Sequence, residues 1–532
     1  MAIAIALLGA VILFVLYIRH NDRRLRKIPA RIESLSKRTT PEFIRADAMQ
    51  YFGQPQKDIK GQLPERTGRR YIVVGGGGFL GGWIVQQLLE RGESAENIRV
   101  LDVAPTPANF VVADAINQGL QYLTTDVSSR ESVDRAFRHP WMDINSRITV
   151  FHTAANIRFY ELHPVFLSRS ARVNVDGVRN VLEAAKTAGV DVFVFTSSGS
   201  VAVKSTRFLL WPWEEEPQHF VQVINDDTPL PSSHWEHFSN YAVSKRGGER
   251  LVMEADRAEV EGGQRMRTGC IRPGNGVFGP RGDMLCGAYL LRKSNPSWIQ
   301  NTMHSFSYVE NCALAHLLYE RRLIDLQAQN GDGQLPDIGG RSFVIADPGP
   351  TPTYGDAYTI LETLTDGDCH FQELSPTAMF LLCKVIAFYY VNQQRLSSFL
   401  STSSSPLVSS LLRPIIDRLL PPLQGDIINL QPPLFYLTSV HLIFDDSRAR
   451  LSPENGGLGF EGVWTTCEGL YKTWHEYHTG LSGKINARSA KAGVSFSFWK
   501  KKSTPKVAAS AAMSMVREGI GIPVTPVPED PA

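Results

Sequence analysis

Residues 71–102 are YIVVGGGGFLGGWIVQQLLERGESAENIRVLD, and the order of elements that they predict indicates the fold class. It begins with an apolar, β-branched run at 71–74, which is typical of a buried parallel strand. A glycine cluster follows, and apolar residues then recur at helical spacing up to an arginine–glycine pair that predicts the helix end. A second strand at 98–101 ends in Asp102. The order strand, tight turn, helix and strand predicts a βαβ unit that binds a dinucleotide, with the phosphates at the helix N-terminus.

Asp102 indicates which dinucleotide binds. It lies about 20 residues after the glycines. In dinucleotide-binding folds a carboxylate at this position accepts hydrogen bonds from the adenosine ribose hydroxyls and repels a 2′-phosphate. The next residue, Val103, carries no positive charge that would attract such a phosphate. The sequence therefore predicts NAD rather than NADP as the cofactor. The alternative is that Asp102 is merely a carboxylate at the end of a strand.

The composition is that of a globular protein without a strong overall charge. The chain has 532 residues, of which 43% are hydrophobic and 20% are charged, and its formal net charge is +2. Such a balance gives no global field to attract nucleic acid, so we expect no nucleic-acid partner. The six cysteines are scattered, with no Cys-x-x-Cys pair. This spacing favours buried free thiols and argues against a metal site.

An apolar run at the N-terminus predicts a membrane anchor. Residues 2–18 carry no charge, and the basic residues lie after them rather than before. A cleaved signal peptide has the opposite arrangement, so residues 1–27 are predicted to be a retained signal anchor with a basic flank. The positive-inside rule then leaves the remainder in the cytosol, in a single-pass topology. A cleaved peptide is the alternative, because the run is short for a hydrocarbon core of about 30 Å.

The remainder of the chain divides into four predicted parts. Residues 28–69 are weakly periodic and are expected to form a linker with one helix near 41–52. Strands and helices alternate through residues 70–350, which predicts a doubly wound parallel sheet, the α/β Rossmann fold. Residues 351–479 are assigned to a smaller C-terminal substrate and membrane-associated region, and 480–532 to a disordered tail. Within the Rossmann part we expect strands at 120–124, 149–152 and 192–196 and a helix at 173–188.

Three residues indicate the reactive chemistry. Ser198 follows the buried strand 192–196, at the rim where open α/β sheets bind ligands. Tyr241 and Lys245 are four residues apart and share a helix face. An ammonium close to a phenol lowers the phenol's pKa from about 10, which makes it a usable acid or base. A lone Tyr-x-x-x-Lys is usually a surface pair, but after a dinucleotide loop and a strand-end serine it predicts a catalytic group.

These motifs resemble the extended short-chain dehydrogenase/reductase superfamily, and within it the 3β-hydroxysteroid dehydrogenase/isomerase family. The similarity covers approximately residues 71–351, with a looser match to 478, and includes IRPGNGVFGP at 271–280 and FSYVENCALAH at 306–316. The resemblance implies an extended short-chain dehydrogenase fold, with Lys245 also holding the ribose hydroxyls of the nicotinamide half of NAD.

The resemblance implies further site residues. Its glycine pattern corresponds to Gly75, Gly78 and Gly81, although Gly76, Gly78 and Gly81 fit the stricter spacing and the sequence does not separate the two frames. Asn174 corresponds to a helix asparagine that holds a proton-relay water in many relatives, while a helix cap is the plainer interpretation. The other residues expected at the cofactor are Phe79, Leu80, Asp126, Val127, Thr153, Ala154, Ala155, Tyr241 and Lys245.

The resemblance also implies a function, namely NAD-dependent oxidation of the 3β-hydroxyl of a sterol or similar apolar alcohol. Such a substrate is delivered from a membrane, for which we expect that of the endoplasmic reticulum, and the family also allows a homodimer. One alternative is a sterol-4α-carboxylate 3-dehydrogenase, whose product decarboxylates. The other is a non-catalytic NAD-binding regulator on the same fold.

Three features depart from a compact family member: the N-terminal anchor, an insert and an expanded C-terminal region. An insert at 207–234, with LLWPWEEEPQHF inside it, lies beside the predicted active-site helix, so the particular substrate does not follow from the resemblance. The apolar run 378–391 is too short to span a membrane. It is expected to be either a membrane-contacting segment or a buried helix of the substrate region.

Overall fold

The computed structural model of the chain describes residues 1–480 except 56, 284, 329–334, 403–417, 419 and 424, so the predicted tail from 481 onward lies outside it. The strands in these residues are β1 (Arg70–Val74), β2 (Ile98–Asp102), β3 (Gln121–Thr124), β4 (Ile148–His152), β5 (Val192–Thr196), β6 (Val221–Ile224), β7 (Arg267–Pro273), β8 (Val277–Phe278), β9 (Ser294–Ser297), β10 (Ser307–Tyr308), β11 (Ser342–Ile345), β12 (His370–Glu373) and β13 (His441–Phe444).

The helices connect these strands and extend the chain at both ends. A π-helical turn, Arg172–Gly177, continues directly into the helix that follows it. The α-helices are α1 (Ala2–Leu25), α2 (Ala30–Glu33), α3 (Pro41–Gly53), α4 (Phe79–Glu90), α5 (Phe110–Ile116), α6 (Arg130–Phe137), α7 (Leu167–Ala171), α8 (Val178–Thr187), α9 (Asn240–Glu254), α10 (Cys286–Arg292), α11 (Val309–Ala328), α12 (Tyr354–Leu364), α13 (Pro376–Thr402), α14 (Pro432–Thr438), α15 (Ser447–Arg450) and α16 (Thr466–His478).

The central sheet has seven strands in the order β11-β7-β5-β4-β1-β2-β3, and every neighbouring pair is parallel. Its strands are apolar on both sides, so both faces must be covered. Helices α4, α5 and α11 cover the face that contains Tyr71 and Val73. Helices α6, α8 and α9 cover the face that contains Ile72 and Val74. The prediction of a doubly wound parallel sheet is therefore confirmed.

Helix α1 contains the predicted anchor. It is long and apolar enough to cross a membrane, with a mean hydropathy of 2.5 in its most apolar window and none of that window buried. The last turns of α1 are instead packed against the protein. Asn21 is fully buried, and its amide nitrogen donates to Thr377 Oγ1 of α13 at 2.8 Å.

Residues 28–69 differ from a free linker. Helix α3 lies where a helix was expected, and its Ile44 and Ala48 are buried in the same apolar cluster as residues of α12 and α16. Tyr471 also donates to Asp47 Oδ2 at 2.9 Å. The two apolar side chains are four residues apart and so lie on one helix face, which buries this segment against the C-terminal region.

Two short parallel ladders attach the C-terminal region to the Rossmann part, β9 with β12 and β6 of the insert with β13, while a third, β8 with β10, lies within the Rossmann part. Helix α13 contains the apolar segment 378–391. One of its faces buries Phe380, Cys383 and Ile386, while the other exposes an apolar stripe. The stripe consists of Leu382, Val385 and Phe388. The buried face fits the expectation of a buried helix, and the exposed stripe fits that of a membrane-contacting segment.

Candidate active site

The glycine turn has the geometry of a phosphate site. Gly78 is the N-cap of α4 and no side chain caps that helix, so its first backbone N–H groups are available to an anion. Gly75 has φ +83°, and a Cβ there would lie 2.6 Å from the backbone nitrogen of Ala154. A Cβ at Gly81 would overlap the Gly75 carbonyl. A Cβ at Gly76 would meet only methyl groups, at 3.0 Å. The structure therefore favours the frame Gly75, Gly78 and Gly81.

Phe79 and Leu80 form the first turn of α4, where both are half-buried. Asp102 ends β2 beside this turn, and its two carboxylate oxygens accept from Gly77 N at 3.1 Å and Ala104 N at 2.9 Å. A carboxylate has about four acceptor sites, so capacity remains for ribose hydroxyls. Val103, the residue after it, is 71% exposed. The geometry fits the adenosine half of NAD as expected from the sequence.

The remaining residues expected at the cofactor lie along the same edge of the sheet. Thr153 holds the chain after β4 against β1, since its N and Oγ1 donate to the Val74 carbonyl at 2.8 and 3.0 Å. Ala154 N also donates to that carbonyl, and Ala155 follows. Asp126 is exposed, and its Oδ1 accepts from Ser128 N at 2.9 Å. Val127 is buried, in close contact with Gly177 of the π-helical turn.

The predicted catalytic residues meet at the carboxyl end of β5. Helix α9 is capped by the Ser239 side chain and carries Tyr241 and Lys245 one turn apart. Lys245 is 2% exposed, and its Nζ donates to the Thr196 carbonyl at 2.5 Å. Ser198 Oγ lies 2.7 Å from Ser200 Oγ, and its side chain hydrogen-bonds that of Tyr241. The serine, phenol and ammonium thus occupy one site at the rim of the sheet.

The pKa of Tyr241 differs from the expectation. Burial raises it to about 12, and the hydrogen bond with Ser198 only partly opposes this rise. Burial also lowers the pKa of Lys245 to about 7. Lys245, whose Nζ donates to the Thr196 carbonyl and lies 4.4 Å from the centre of the Phe195 ring, is not among the groups that lower the Tyr241 pKa.

Asn174 lies inside the π-helical turn rather than at a helix cap. Its Oδ1 accepts from Asn156 N at 2.8 Å, and its Nδ2 donates to the Asn156 carbonyl at 3.1 Å and to Ser244 Oγ at 2.9 Å. Ser244 Oγ in turn donates to the Tyr241 carbonyl at 2.9 Å. Asn174 is thus linked through Ser244 to the backbone of the tyrosine, and π-helical turns are frequent at functional sites.

Sequence reasoning missed several groups around this site. Thr196 provides the carbonyl that holds Lys245, and position 196 gave no signal because a backbone acceptor is independent of residue type. Phe444 of β13 packs its ring against Gly199, next to Ser198. It lies far along the chain from the site and belongs to no motif. Gly248, seven residues after Tyr241, allows α9 to approach the Asn174 carbonyl, and the glycine pair at 247–248 was a usable signal.

A buried ion pair and a buried carboxylate hold this site in place. Glu249 of α9 binds Arg272 of β7 through two hydrogen bonds, at 2.9 and 2.5 Å. Glu161 is fully buried and accepts from Arg158, from Arg169 and from Tyr390 of α13, while its carbonyl accepts from Asn240 N at 2.7 Å. Since Asn240 precedes Tyr241, this cluster links α13 to the start of α9.

A parallel sheet with a glycine turn after its first strand and a Tyr-x-x-x-Lys helix beside its fifth defines a Rossmann protein of the short-chain dehydrogenase/reductase superfamily. The sequence pattern of the 3-beta hydroxysteroid dehydrogenase/isomerase family matches residues 72–368, more than half of the chain. The chain belongs to that family, as the motifs predicted. This assignment also confirms the expectation of NAD as cofactor.

Individual relatives are similar at modest identity. The chain is 29% identical over 291 residues to an Arabidopsis thaliana 3beta-hydroxysteroid-dehydrogenase/decarboxylase (isoform 2), a match that covers 52% of this chain and 45% of the plant protein. It is 27% identical to a decarboxylating sterol-4-alpha-carboxylate 3-dehydrogenase of Candida albicans, over 54% of this chain and 73% of the yeast protein. The matched segment thus spans slightly under half of the plant relative.

Among solved structures, a UDP-glucose 4-epimerase from Thermotoga maritima matches with a TM-score of 0.47 and 18% identity. The match covers 77% of this chain and 99% of the epimerase.

Proposed function

We propose that the chain is an NAD-dependent dehydrogenase that oxidises the 3β-hydroxyl of a sterol or a similar apolar alcohol, anchored in the membrane by α1. The observation that carries the proposal is the convergence of Ser198, Tyr241 and Lys245 at the carboxyl end of β5, beside a glycine turn that fits NAD. Membership of the 3-beta hydroxysteroid dehydrogenase/isomerase family supports the substrate class. When bound, NAD supplies the acceptor for the carbinol hydride.

The chain's own residues then have separate tasks. Ser198 and Tyr241 hydrogen-bond the substrate oxygen, and Tyr241 as phenolate takes the hydroxyl proton. Because burial raises the pKa of Tyr241 to about 12, the phenolate needs a nearby positive charge, which Lys245, one turn along α9, would supply in its protonated form. Lys245 would also hold the ribose hydroxyls of the nicotinamide half. The Glu249–Arg272 pair and the Glu161 cluster keep α9 in position.

The names of the Arabidopsis and Candida relatives favour a second candidate, a decarboxylating sterol-4α-carboxylate 3-dehydrogenase. Oxidation at C3 would place a ketone β to the 4α-carboxylate, so the C4–carboxyl bond could break with its electrons delocalised into that ketone and CO2 released. No extra catalytic residue is required for this step. The two candidates therefore differ in substrate and share the same reactive groups.

A non-catalytic regulator is the remaining alternative, and the complete set of Ser198, Tyr241 and Lys245 argues against it. The test uses full-length protein in phospholipid vesicles with NAD and 3β-hydroxysterols, either with or without a 4α-carboxylate. We expect NADH formation with at least one of them, with CO2 release only from the carboxylated sterol. The Tyr241→Phe variant is the control and should bind NAD without turnover. Wild-type protein that binds NAD but oxidises none of these alcohols would favour the regulator.

The domain boundaries and topology are part of the same proposal. Residues 1–27 would form the anchor and its basic flank, residues 70–350 the cytosolic dehydrogenase part, and 351–479 the substrate region. The apolar run of α1, none of which is buried, supports the anchor. We place it in the membrane of the endoplasmic reticulum, where a poorly soluble sterol would be available.

A further inference from the structure

The insert at 207–234 exposes two tryptophans that the fold does not explain. Trp211 is 58% exposed and Trp213 is 74% exposed, and their rings stack in parallel with centroids 5.4 Å apart. A stacked pair of large aromatic side chains in water forgoes the free energy of burial. Exposed apolar patches of this kind usually mark a contact surface. The insert is otherwise well ordered, since its β6 pairs with β13.

The chain just before these tryptophans is bonded to the last turns of the anchor. Tyr17 donates its hydroxyl to the Leu210 carbonyl at 3.1 Å. The Asn21 side chain bonds both neighbours of Leu209: its amide nitrogen donates to the Phe208 carbonyl at 3.0 Å, and its oxygen accepts from Leu210 N at 3.1 Å. Because Asn21 is fully buried, these bonds fix the insert at the point where the apolar run of α1 ends.

This attachment determines the depth of the tryptophans relative to a membrane that α1 crosses. The apolar run ends at residue 18, so Tyr17 lies at the boundary of the hydrocarbon core. The polar interfacial layer beyond that boundary is about 5–7 Å thick. Trp211 directly follows Leu210, and Trp213 is within about 10 Å of it even along an extended chain. Both rings are thus within reach of the layer where tryptophan and tyrosine are enriched.

The charges around the pair also suit a phospholipid surface. Two of the three glutamates after Trp213 are paired, Glu214 with Arg207 and Glu216 with Arg31. The pairing reduces their repulsion from anionic headgroups. Arg19 and Arg23 are exposed on α1 one turn apart, where basic residues attract anionic lipid.

We propose that Trp211 and Trp213 lie in the headgroup layer of the bilayer that α1 crosses and act as a second membrane contact. This contact fixes the tilt and depth of the catalytic part. The inference rests on the membrane anchoring stated under Proposed function and assigns a role to the insert. The occupant of this aromatic surface is phospholipid.

The test measures quenching of tryptophan fluorescence by lipid in the full-length protein. Wild type and the double variant Trp211→Phe/Trp213→Phe are reconstituted in phosphatidylcholine vesicles, with or without bromine on the acyl chains close to the headgroup. Bromine quenches only nearby indoles. We expect brominated lipid to quench part of the wild-type emission, and this lipid-dependent loss to fall sharply in the double variant. Phenylalanine keeps an apolar ring at both positions, and NAD binding checks that the variant is folded.

Trp141→Phe is the matched control. Its ring lies 3.8 Å from the Arg99 guanidinium and near Arg70, the first residue of β1, so it is at the amino end of the sheet and away from the anchor. Its loss should leave the lipid-dependent quenching unchanged. Equal quenching in wild type and the double variant would overturn the inference and indicate that the pair faces water or a protein.

The readout needs neither substrate nor turnover, so it separates this inference from the dehydrogenase proposal. Protein that oxidises a vesicle-borne sterol while Trp211 and Trp213 remain unquenched overturns the membrane contact alone. Protein with a quenched pair that oxidises no sterol overturns the dehydrogenase alone. Full-length protein that is washed from the vesicles by carbonate overturns the anchor and this contact together.

Discussion

Replacing Gly75 or Gly76 by alanine tests which glycine frame forms the phosphate turn. Gly75→Ala places a Cβ on a residue with φ +83°, which costs about 1–2 kcal/mol. The same Cβ would lie 2.6 Å from Ala154 N and 2.8 Å from its Cα, and since these are backbone atoms they cannot rotate away. Such overpacking costs about 1–3 kcal/mol. Gly75→Ala should therefore destabilise the protein by about 2–5 kcal/mol.

Gly76→Ala should be much milder. Its φ is ordinary, and its Cβ would meet methyl groups of Val73 and Val100 at 3.0 Å, which shift by a few tenths of an ångström. Alanine also lowers the entropy of the unfolded chain, a gain of about 0.4–1 kcal/mol that offsets part of this cost.

The assay compares denaturant unfolding and NAD affinity of the two variants with wild type. Gly75→Ala should lower both, because the displaced turn no longer presents its N–H groups to the pyrophosphate. Gly76→Ala should stay close to wild type in both. If Gly76→Ala is as damaging as Gly75→Ala, or more so, the frame chosen from the structure is wrong.

Four further predictions concern catalysis, cofactor choice and topology. Tyr241→Phe should lower turnover by about 10²- to 10⁴-fold in steady-state assays, with NAD affinity almost unchanged, and near-normal activity would contradict its role as acid/base. Since burial raises the pKa of Tyr241 to about 12, the oxidation rate should rise in a pH–rate profile as pH increases from neutral to alkaline; a rate that falls over this range would contradict the role of Tyr241 as base. Asp102→Ala should narrow the preference for NAD over NADP in binding titrations, and wild-type preference for NADP would show that the end of β2 was misassigned. Protein lacking residues 1–27 should be released by carbonate, while full-length protein stays bound with its C-terminus open to protease from the cytosolic side; a cleaved, luminal product would contradict the anchor.

The sequence predicted those features that depend on local pattern. The predicted strands at 71–74 and 98–101 lie within β1 and β2, and the one at 192–196 coincides with β5. A short apolar run between turn residues is typical of a buried parallel strand. Tyr241 and Lys245 lie on one face of α9 because residues four apart in a helix are one turn apart. These signals arise from neighbouring residues and need no knowledge of the tertiary structure.

Features that depend on distant residues could not be predicted. The π-helical turn around Asn174 follows from packing against α9, whose Gly248 contacts the Asn174 carbonyl. The segment 28–69 has weak periodicity, yet Ile44 and Ala48 find an apolar partner surface on helices near the C-terminus. The low pKa of Lys245 likewise results from burial between elements, which no spacing rule describes.

The pairing of β6 with β13 has a consequence for how the protein folds. β6 is synthesised long before β13, and the ring of Phe444 at the end of β13 packs on Gly199, beside Ser198. Contacts between residues so far apart in sequence form slowly, because a long loop must close first. A nascent chain that has emerged only as far as α9 therefore lacks the Phe444 ring that packs on the turn after β5. We expect the dehydrogenase part to remain immature on the ribosome until residues 441–444 have been made.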